Sequence, residues 1–274
     1  MMKFIITKSP FGGVEMKYET LEVSKENNIV KIILNRPEFH NAMNEKVMKE
    51  LITCFKGFNN DKNIRVIILT GSGKSFCAGA DLYWMKSMVN YSKEENVKDS
   101  RLLLDLFEII YSCKKPVIAC VNGHAFGGGI GLFAVCDVVI AIPKCKFAFS
   151  EVKLGIIPAV ISTYVVRRLG ISNMKRLFIT GERFDSNYAK EVGLVDIIVD
   201  ENKIDETLEK YINLILSSGP KAINEIKKLV NTYENMNIKS FKDHTVKKIA
   251  ELRVSKEGQE GINAFLEKRK SEWS

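Results

Sequence analysis

Residues 117–134 read VIACVNGHAFGGGIGLFA. The first five are apolar and rich in β-branched side chains, the signature of a buried strand. Three consecutive glycines follow, Gly127 to Gly129, and Gly131 adds a fourth. Each glycine raises the entropic cost of folding, so a triplet implies that bare backbone is needed there. A short helix through Ala134 then follows the glycines. Strand, glycine turn and helix start make one unit, and ILTGSGKSFCAGADL, ending at Leu82, repeats it. Backbone N–H groups at a helix start lack intrahelical partners and lie at the positive end of the dipole. Two of them converging on one point would hold a developing oxyanion. The alternative is that both glycine stretches only let helix and strand pack closely.

Working outward, strands and helices alternate. YETLEV and IVKIILN bracket the turn-prone SKENN, which predicts a hairpin. Pro37 ends the second strand, and Asn41 or Asn44 can cap a helix whose apolar positions are Met43, Val47, Leu51, Phe55 and Phe58. RVIILTG, KPVIACVNG, DVVIAI and CKFAF are further strands, with a helix around 98–112. The pattern predicts an α/β core over residues 16–200. A run of helices follows in 201–274. Residues 1–15, with an apolar stretch of only Phe4–Ile6, read as a loose extension rather than a signal peptide.

Bulk properties narrow the function. The chain has 274 residues, 46% of them hydrophobic, enough for one large domain with an appendage. A net charge of +8 suits an anionic ligand, although a lysine-rich surface alone would produce it. No basic run with interleaved aromatics points to nucleic acid. No apolar run reaches membrane-spanning length. Six cysteines without CxxC spacing read as core residues of a reducing, cytoplasmic compartment. The three histidines are far apart, and no metal or cofactor is expected.

Three motifs fail on inspection. GSGKS at 71–75 lacks the earlier glycine of a phosphate-binding loop, since Ile68 stands there. The 123–129 glycines do not fit GxGxxG. Ser150-x-x-Lys153 lacks the companion segments of a serine acylase. What remains is enolate or tetrahedral-adduct chemistry on a carbonyl, with a thioester a good candidate. Such chemistry needs a general acid/base. Glu151, directly after the strand in FAFSEVKLGIIP, sits in a largely apolar run that would raise its pKa towards working pH. Pairing with Lys153 or capping a turn is the structural alternative.

The segments LNRPEFHNAMN, SFCAGADL, KPVIACVNGHAFGGGIGL, CDVVIA, FAFSEVKLGIIP, AKEVGLVD and EGINAFLEKRKSEW, in this order from Tyr18 to Trp273, resemble the crotonase (enoyl-CoA hydratase/isomerase) superfamily. The resemblance implies a spiral of ββα repeats with a C-terminal helical trimerisation region, a homotrimer or a hexamer of two trimers, and a coenzyme A thioester substrate. It implies an oxyanion hole from the N–H groups of Ala80 and Gly128, with Glu151 as catalytic residue. Ala78, Gly79, Asp81, Leu82, Gly127, Gly131 and Pro158 would line the acyl-CoA path. Asn41 and Ala42 would begin a helix near the CoA. Lys227 would lie by the CoA phosphates. Phe265 and Lys268 would reach a neighbouring subunit's adenine end, or else be ordinary helix residues.

One departure matters. Hydratases of the family carry a second glutamate two residues after the glycine triplet, where this chain has Gly131. The segment KLGIIPAVISTYVVRRLG resembles the methylglutaconyl-CoA hydratase branch, and a substrate with its own carboxylate would repel a second glutamate. Arg167 or Arg168 would then meet that carboxylate, unless both lie on a solvated helix face. A Δ3-Δ2 enoyl-CoA isomerase needs one base only and is the competing expectation. A dehydratase acting on a carrier-protein-linked 3-hydroxy-3-methylglutaryl group shares the same residues. A non-catalytic acyl-CoA-binding or RNA-binding relative is disfavoured by Glu151.

Overall fold

The computed structural model describes residues 18–233 and 235–273; the proposed extension 1–15 lies outside them. A hairpin opens the described fold. β1 (Leu21–Glu26) pairs antiparallel with β2 (Ile29–Leu34) across a turn in which Asn27 has φ 52°. The helix α1 (Glu45–Asn60) follows, and the Asn44 side chain caps it by accepting from Val47 N–H at 3.0 Å. Asn44 is therefore the cap, and the helix starts three residues beyond Ala42.

Three ββ steps then build two sheets at once. β3 (Val66–Gly71) is followed by β4 (Ser75–Cys77), the helix α2 (Leu82–Met88) and the long helix α3 (Lys93–Tyr111). β5 (Val117–Val121) is followed by β6 (His124–Phe126) and the helix α4 (Gly128–Ala134). β7 (Val138–Ala141) is followed by β8 (Lys146–Ala148) and a short 3₁₀ turn, Ser150–Leu154. The first member of each step enters one sheet and the second member another. With β9 (Phe184–Asp185) and β10 (Ile197–Ile198) the orders become β1-β2-β3-β5-β7-β10 and β4-β6-β8-β9. β2, β3, β5, β7 and β10 run parallel, as do β4, β6 and β8.

The alternation of side chains explains the layers. Ile67, Leu69, Val117, Ala119 and Val121 face one core with α1 and α3. Val66, Ile68, Ile118, Cys120 and Ile140 face a second core closed by Leu208 and Ile212 of the helix α7 (Ile204–Leu216). Strands buried on both faces carry continuous apolar runs, which is why VIILT and VIACV show no polar alternation. All six cysteines are free and buried.

Before α7 come α5 (Ala159–Thr180), interrupted at Gly170 with φ 68°, and α6 (Ser186–Glu191). The helices α8 (Pro220–Tyr233), α9 (Ile238–Arg253) and α10 (Lys256–Leu266) complete the chain's C-terminal region. Among the described residues, no helix is long and apolar enough to cross a membrane.

Arg168 is a tie rather than a ligand-facing arginine. Its Nε donates to Ala134 O at 3.0 Å and its Nη2 to Cys136 O at 2.6 Å, while Nη1 lies 3.3 Å from both Asp196 carboxylate oxygens. It thus binds the last carbonyl of α4 and one just beyond it, where a cation is favoured. Arg168→Met should cost about 1.5–3 kcal/mol, the range for hydrogen bonds to a charged group. Urea unfolding at fixed protein concentration checks this.

Candidate active site

The segments that leave β4 and β6 form the site. Met43 and Ala80 form an isolated parallel bridge. Met43 N–H donates to Gly79 O at 2.7 Å, and Asp81 N–H donates to Met43 O at 2.8 Å. Both bonds go to the neighbours of Ala80, so its own N–H faces the opposite side. Among the described residues that N–H has no acceptor, and neither has the N–H of Gly128, the first residue of α4. The two segments touch through backbone. A Cβ on Gly79 would lie 2.8 Å from Phe126 O and 3.9 Å from Gly128 N, and a Cβ on Gly129 would collide with Cys77 O. An edge-to-face contact between Phe76 and Phe133, 5.9 Å between centroids, packs beneath them.

Glu151 faces the same backbone. A Cβ on Gly127 would stand 2.7 Å from Glu151 Oε1 and 3.5 Å from Oε2, and Gly127 has φ 49°. Only glycine satisfies both the conformation and the close approach. Glu151 Oε2 is buried, with no hydrogen-bond partner among the described residues. Burial therefore raises the Glu151 pKa above its ordinary value. Among the described residues no ion pair joins it to Lys153. Unpartnered N–H donors can hold a carbonyl oxygen, and a carboxyl one residue from the Gly128 N–H can move a proton nearby.

Gly131 lies one helical turn beyond Gly127, about 5–6 Å along α4. Its Cα is enclosed. A Cβ there would meet Ile161 Cγ2 at 2.5 Å and Phe107 Cζ at 2.8 Å. Both side chains are fully buried. The position that a second carboxylate would need is apolar and full.

The family model for enoyl-CoA hydratase/isomerase matches residues 24–274. The chain belongs to the enoyl-CoA hydratase/isomerase (crotonase) family. It is 34% identical over 258 residues to a crotonyl-CoA hydratase of Syntrophomonas wolfei, covering 93% of this chain and 98% of that relative. The crystal structure of an enoyl-CoA hydratase from Shewanella pealeana superimposes with a TM-score of 0.91 at 36% identity, covering 94% of this chain and 97% of that one. An enoyl-CoA hydratase/isomerase from Marinobacter aquaeolei gives a TM-score of 0.88 at 32% identity, covering 93% and 99%. This protein is thus an enzyme of the crotonase family.

The other expected residues of this crotonase-family enzyme fall into three groups. Asn41 and Ala42 brace rather than begin a helix. Asn41, at φ 56°, accepts from Arg36 N–H at 2.9 Å and donates to Ser72 O and Ser75 O at 2.8 Å each. Ala42 O accepts from Arg36 Nη1 at 2.6 Å. Asp81 caps α2 through Tyr83 and Trp84 N–H and pairs with Arg36 at 2.8 Å. Burial alone would raise the Asp81 pKa, but these hydrogen bonds hold it below its usual value. Ala78 N–H donates to His40 O, Leu82 is 79% exposed, and Pro158 is buried just before α5.

Three residues lie on the C-terminal helices. Lys227 Nζ pairs with Asp137 at 2.5 Å and donates to Lys115 O at 3.2 Å, strutting α8 against the core. Phe265 is 83% exposed and lines an apolar groove of about 360 Å³ with Leu252, Ile262 and Trp273. Lys268 is exposed just beyond α10. Within one chain, none of these three is grouped with the glycine loops.

Sequence reasoning passed over Arg36, Asn122, Phe107 and Ile161. Asn122 Oδ1 accepts from Gly71 N–H at 3.1 Å and its Nδ2 donates to Gly73 O at 3.1 Å, tying the two loops. The asparagine next to the turn glycine Gly123 was the available signal. Arg36 and Asp81 lie too far apart in sequence for any local pattern to pair them.

Glu151→Gln should raise Tm at neutral pH. A carboxyl whose folded pKa is raised stabilises least above that pKa, so the variant's advantage should grow with pH above about 4.3 and vanish below it. Thermal melts from pH 4 to 8 check the sign. Gly131→Glu should not add a second working carboxylate. Overpacking and a buried charge should together cost upwards of about 3 kcal/mol, seen as loss of soluble, folded protein.

Proposed function

We propose that the protein is an enoyl-CoA hydro-lyase. It adds water to, or removes it from, the α,β double bond of a branched enoyl-CoA, with 3-methylglutaconyl-CoA the favoured substrate. The observation that carries this reading is the Glu151 carboxyl, buried and unpartnered at Oε2, against Gly127 and one residue from the Gly128 N–H.

In the forward direction the Ala80 and Gly128 N–H groups hold the thioester oxygen. Ionised Glu151 takes a proton from water as the water oxygen bonds to Cβ. The double-bond electrons move onto the thioester, whose enolate oxygen the two N–H groups stabilise. Protonated Glu151 then delivers the proton to Cα, and the carbonyl re-forms. One carboxyl serves as base and then acid, so water adds with atoms and charge balanced. An apolar position 131 supports a substrate bearing its own carboxylate, because no protein carboxylate opposes it. The net charge of +8 favours capture of the anionic CoA, and no further cofactor is required.

The same enclosed Gly131 favours a second reading, a Δ3-Δ2 enoyl-CoA isomerase, in which Glu151 moves a proton between carbons and no water is activated. The carrier-protein-linked dehydratase reverses the hydration. We assign the exposed apolar residues of α8 and α10, Ile226, Val230, Phe265 and Leu266, to contacts between copies in a trimer or hexamer.

Turnover of crotonyl-CoA, a 3-enoyl-CoA and 3-methylglutaconyl-CoA decides among these. The expected result is the highest kcat/KM on 3-methylglutaconyl-CoA; preference for double-bond migration would select the isomerase. Glu151→Gln should lower kcat by at least about 100-fold on the preferred substrate, the lower end for a positioned proton shuttle.

A further inference from the structure

The segment that carries Ala80 is tied to a residue far back in the chain, just beyond the end of β2. Arg36 stands two residues beyond β2, and its guanidinium bridges two segments. Nη1 donates to Ala42 O at 2.6 Å, and Nη2 donates to Asp81 Oδ2 at 2.8 Å. The other Asp81 oxygen accepts from Tyr83 and Trp84 N–H at 2.8 and 3.2 Å. The pair is enclosed, the Arg36 and Asp81 side chains being 13% and 4% exposed. Between the two ends of this bridge runs the Met43–Ala80 ladder, which fixes the peptides on both sides of Ala80. Arg36 is itself anchored: its N–H donates to Asn41 Oδ1 at 2.9 Å, and its Cζ lies 4.5 Å from the centre of the Phe39 ring.

We propose that Arg36, acting through Asp81, is a positioning residue that aims the Ala80 N–H at the thioester oxygen. This rests on the reading of Ala80 and Gly128 as the oxyanion hole. Asp81 N–H closes one end of the Met43–Ala80 ladder, so a shift of the Asp81 backbone carries the Ala80 peptide with it. An oxyanion donor works within a narrow window, about 2.7–3.1 Å from the developing charge. Without Arg36 the enclosed carboxylate has no counter-charge, and it must take up a proton or turn towards solvent. Either change loosens the contacts to Tyr83 and Trp84 N–H that hold the Asp81 backbone, and the Ala80 peptide shifts with that backbone. A guanidinium suits the task because its fork serves the Ala42 carbonyl and the Asp81 carboxylate together, which a single ammonium does poorly.

The test uses the intact enzyme with acetoacetyl-CoA, a 3-oxoacyl thioester whose enolate has its own ultraviolet band. Arg36→Met and Asp81→Asn should each lower kcat on the preferred enoyl-CoA by about 10–100-fold, less than the roughly 10²–10³-fold loss of a whole oxyanion donor. KM should stay within about three-fold, as for an interaction made mainly in the transition state. Both variants should reduce the enolate fraction of bound acetoacetyl-CoA. The double variant should be no worse than the poorer single one, because Arg36 acts through Asp81.

A merely structural role would lower Tm and the fraction of active enzyme, leaving kcat per active site and the bound-probe spectrum as in the wild type. That outcome, or additive losses in the double variant, overturns the inference. If the wild-type enzyme itself does not favour the bound enolate over the free one, the oxyanion-hole reading falls, and this inference with it.

Discussion

Backbone meets backbone where the turn after β4 crosses the turn after β6, and no side chain fits between them. Gly79 lies against the Phe126 carbonyl and Gly129 against that of Cys77. The geometry of the candidate site follows from this contact. It brings the turn that carries Ala80 close to the Gly128 N–H, 3.9 Å from where a Cβ on Gly79 would stand. It also leaves the Gly127 Cα open to the Glu151 carboxyl. A methyl group at any of these glycines would separate the segments by more than a hydrogen bond tolerates. The entropic cost of four glycines in five positions is offset by the nearby strands β3, β4 and β5, which are buried along their whole length.

Around that crossing the polar groups divide by environment. Arg36, Asn41, Asp81 and Asn122 satisfy one another and the loop carbonyls, so their charges and amides are spent on shape. Glu151 is left with an oxygen that no group among the described residues satisfies. An unpaired buried polar atom is costly, and proteins retain few of them. The contrast between a satisfied frame and the unsatisfied Glu151 oxygen is what makes Glu151 the candidate for chemistry and its neighbours candidates for holding it in place.

Much of this was legible in the sequence because it depends on local signals. The buried parallel strands announce themselves as uninterrupted apolar runs, and the glycine triplet announces a close approach. Glu151 stood out as a carboxylate in an apolar run, and the resemblance of seven ordered blocks gave the family. What stayed hidden was pairing across distance. Nothing near Asp81 reveals that its partner is Arg36, so it read as a ligand contact instead of a brace. Gly131 read as a missing glutamate, but only packing shows that Phe107 and Ile161 have taken the space. Lys227 carries no local mark of its partner Asp137. Asn41 looked like a helix start because asparagine caps helices, whereas its left-handed backbone turns it into the loops.

The stepwise order of the strands has a consequence for how the protein is made. Each step of the spiral contributes one part of the proposed site: the first supplies Ala80, the second Gly128 and the third Glu151. A chain leaving the ribosome therefore cannot assemble the site until the third step has emerged. Its parallel strands can pair only across long crossovers, so folding is governed by non-local contacts and is slow. Until β7 arrives, β5 presents an apolar edge on which other chains could pair. Completion of the catalytic crossing and removal of that adhesive edge are thus the same event in the life of the chain.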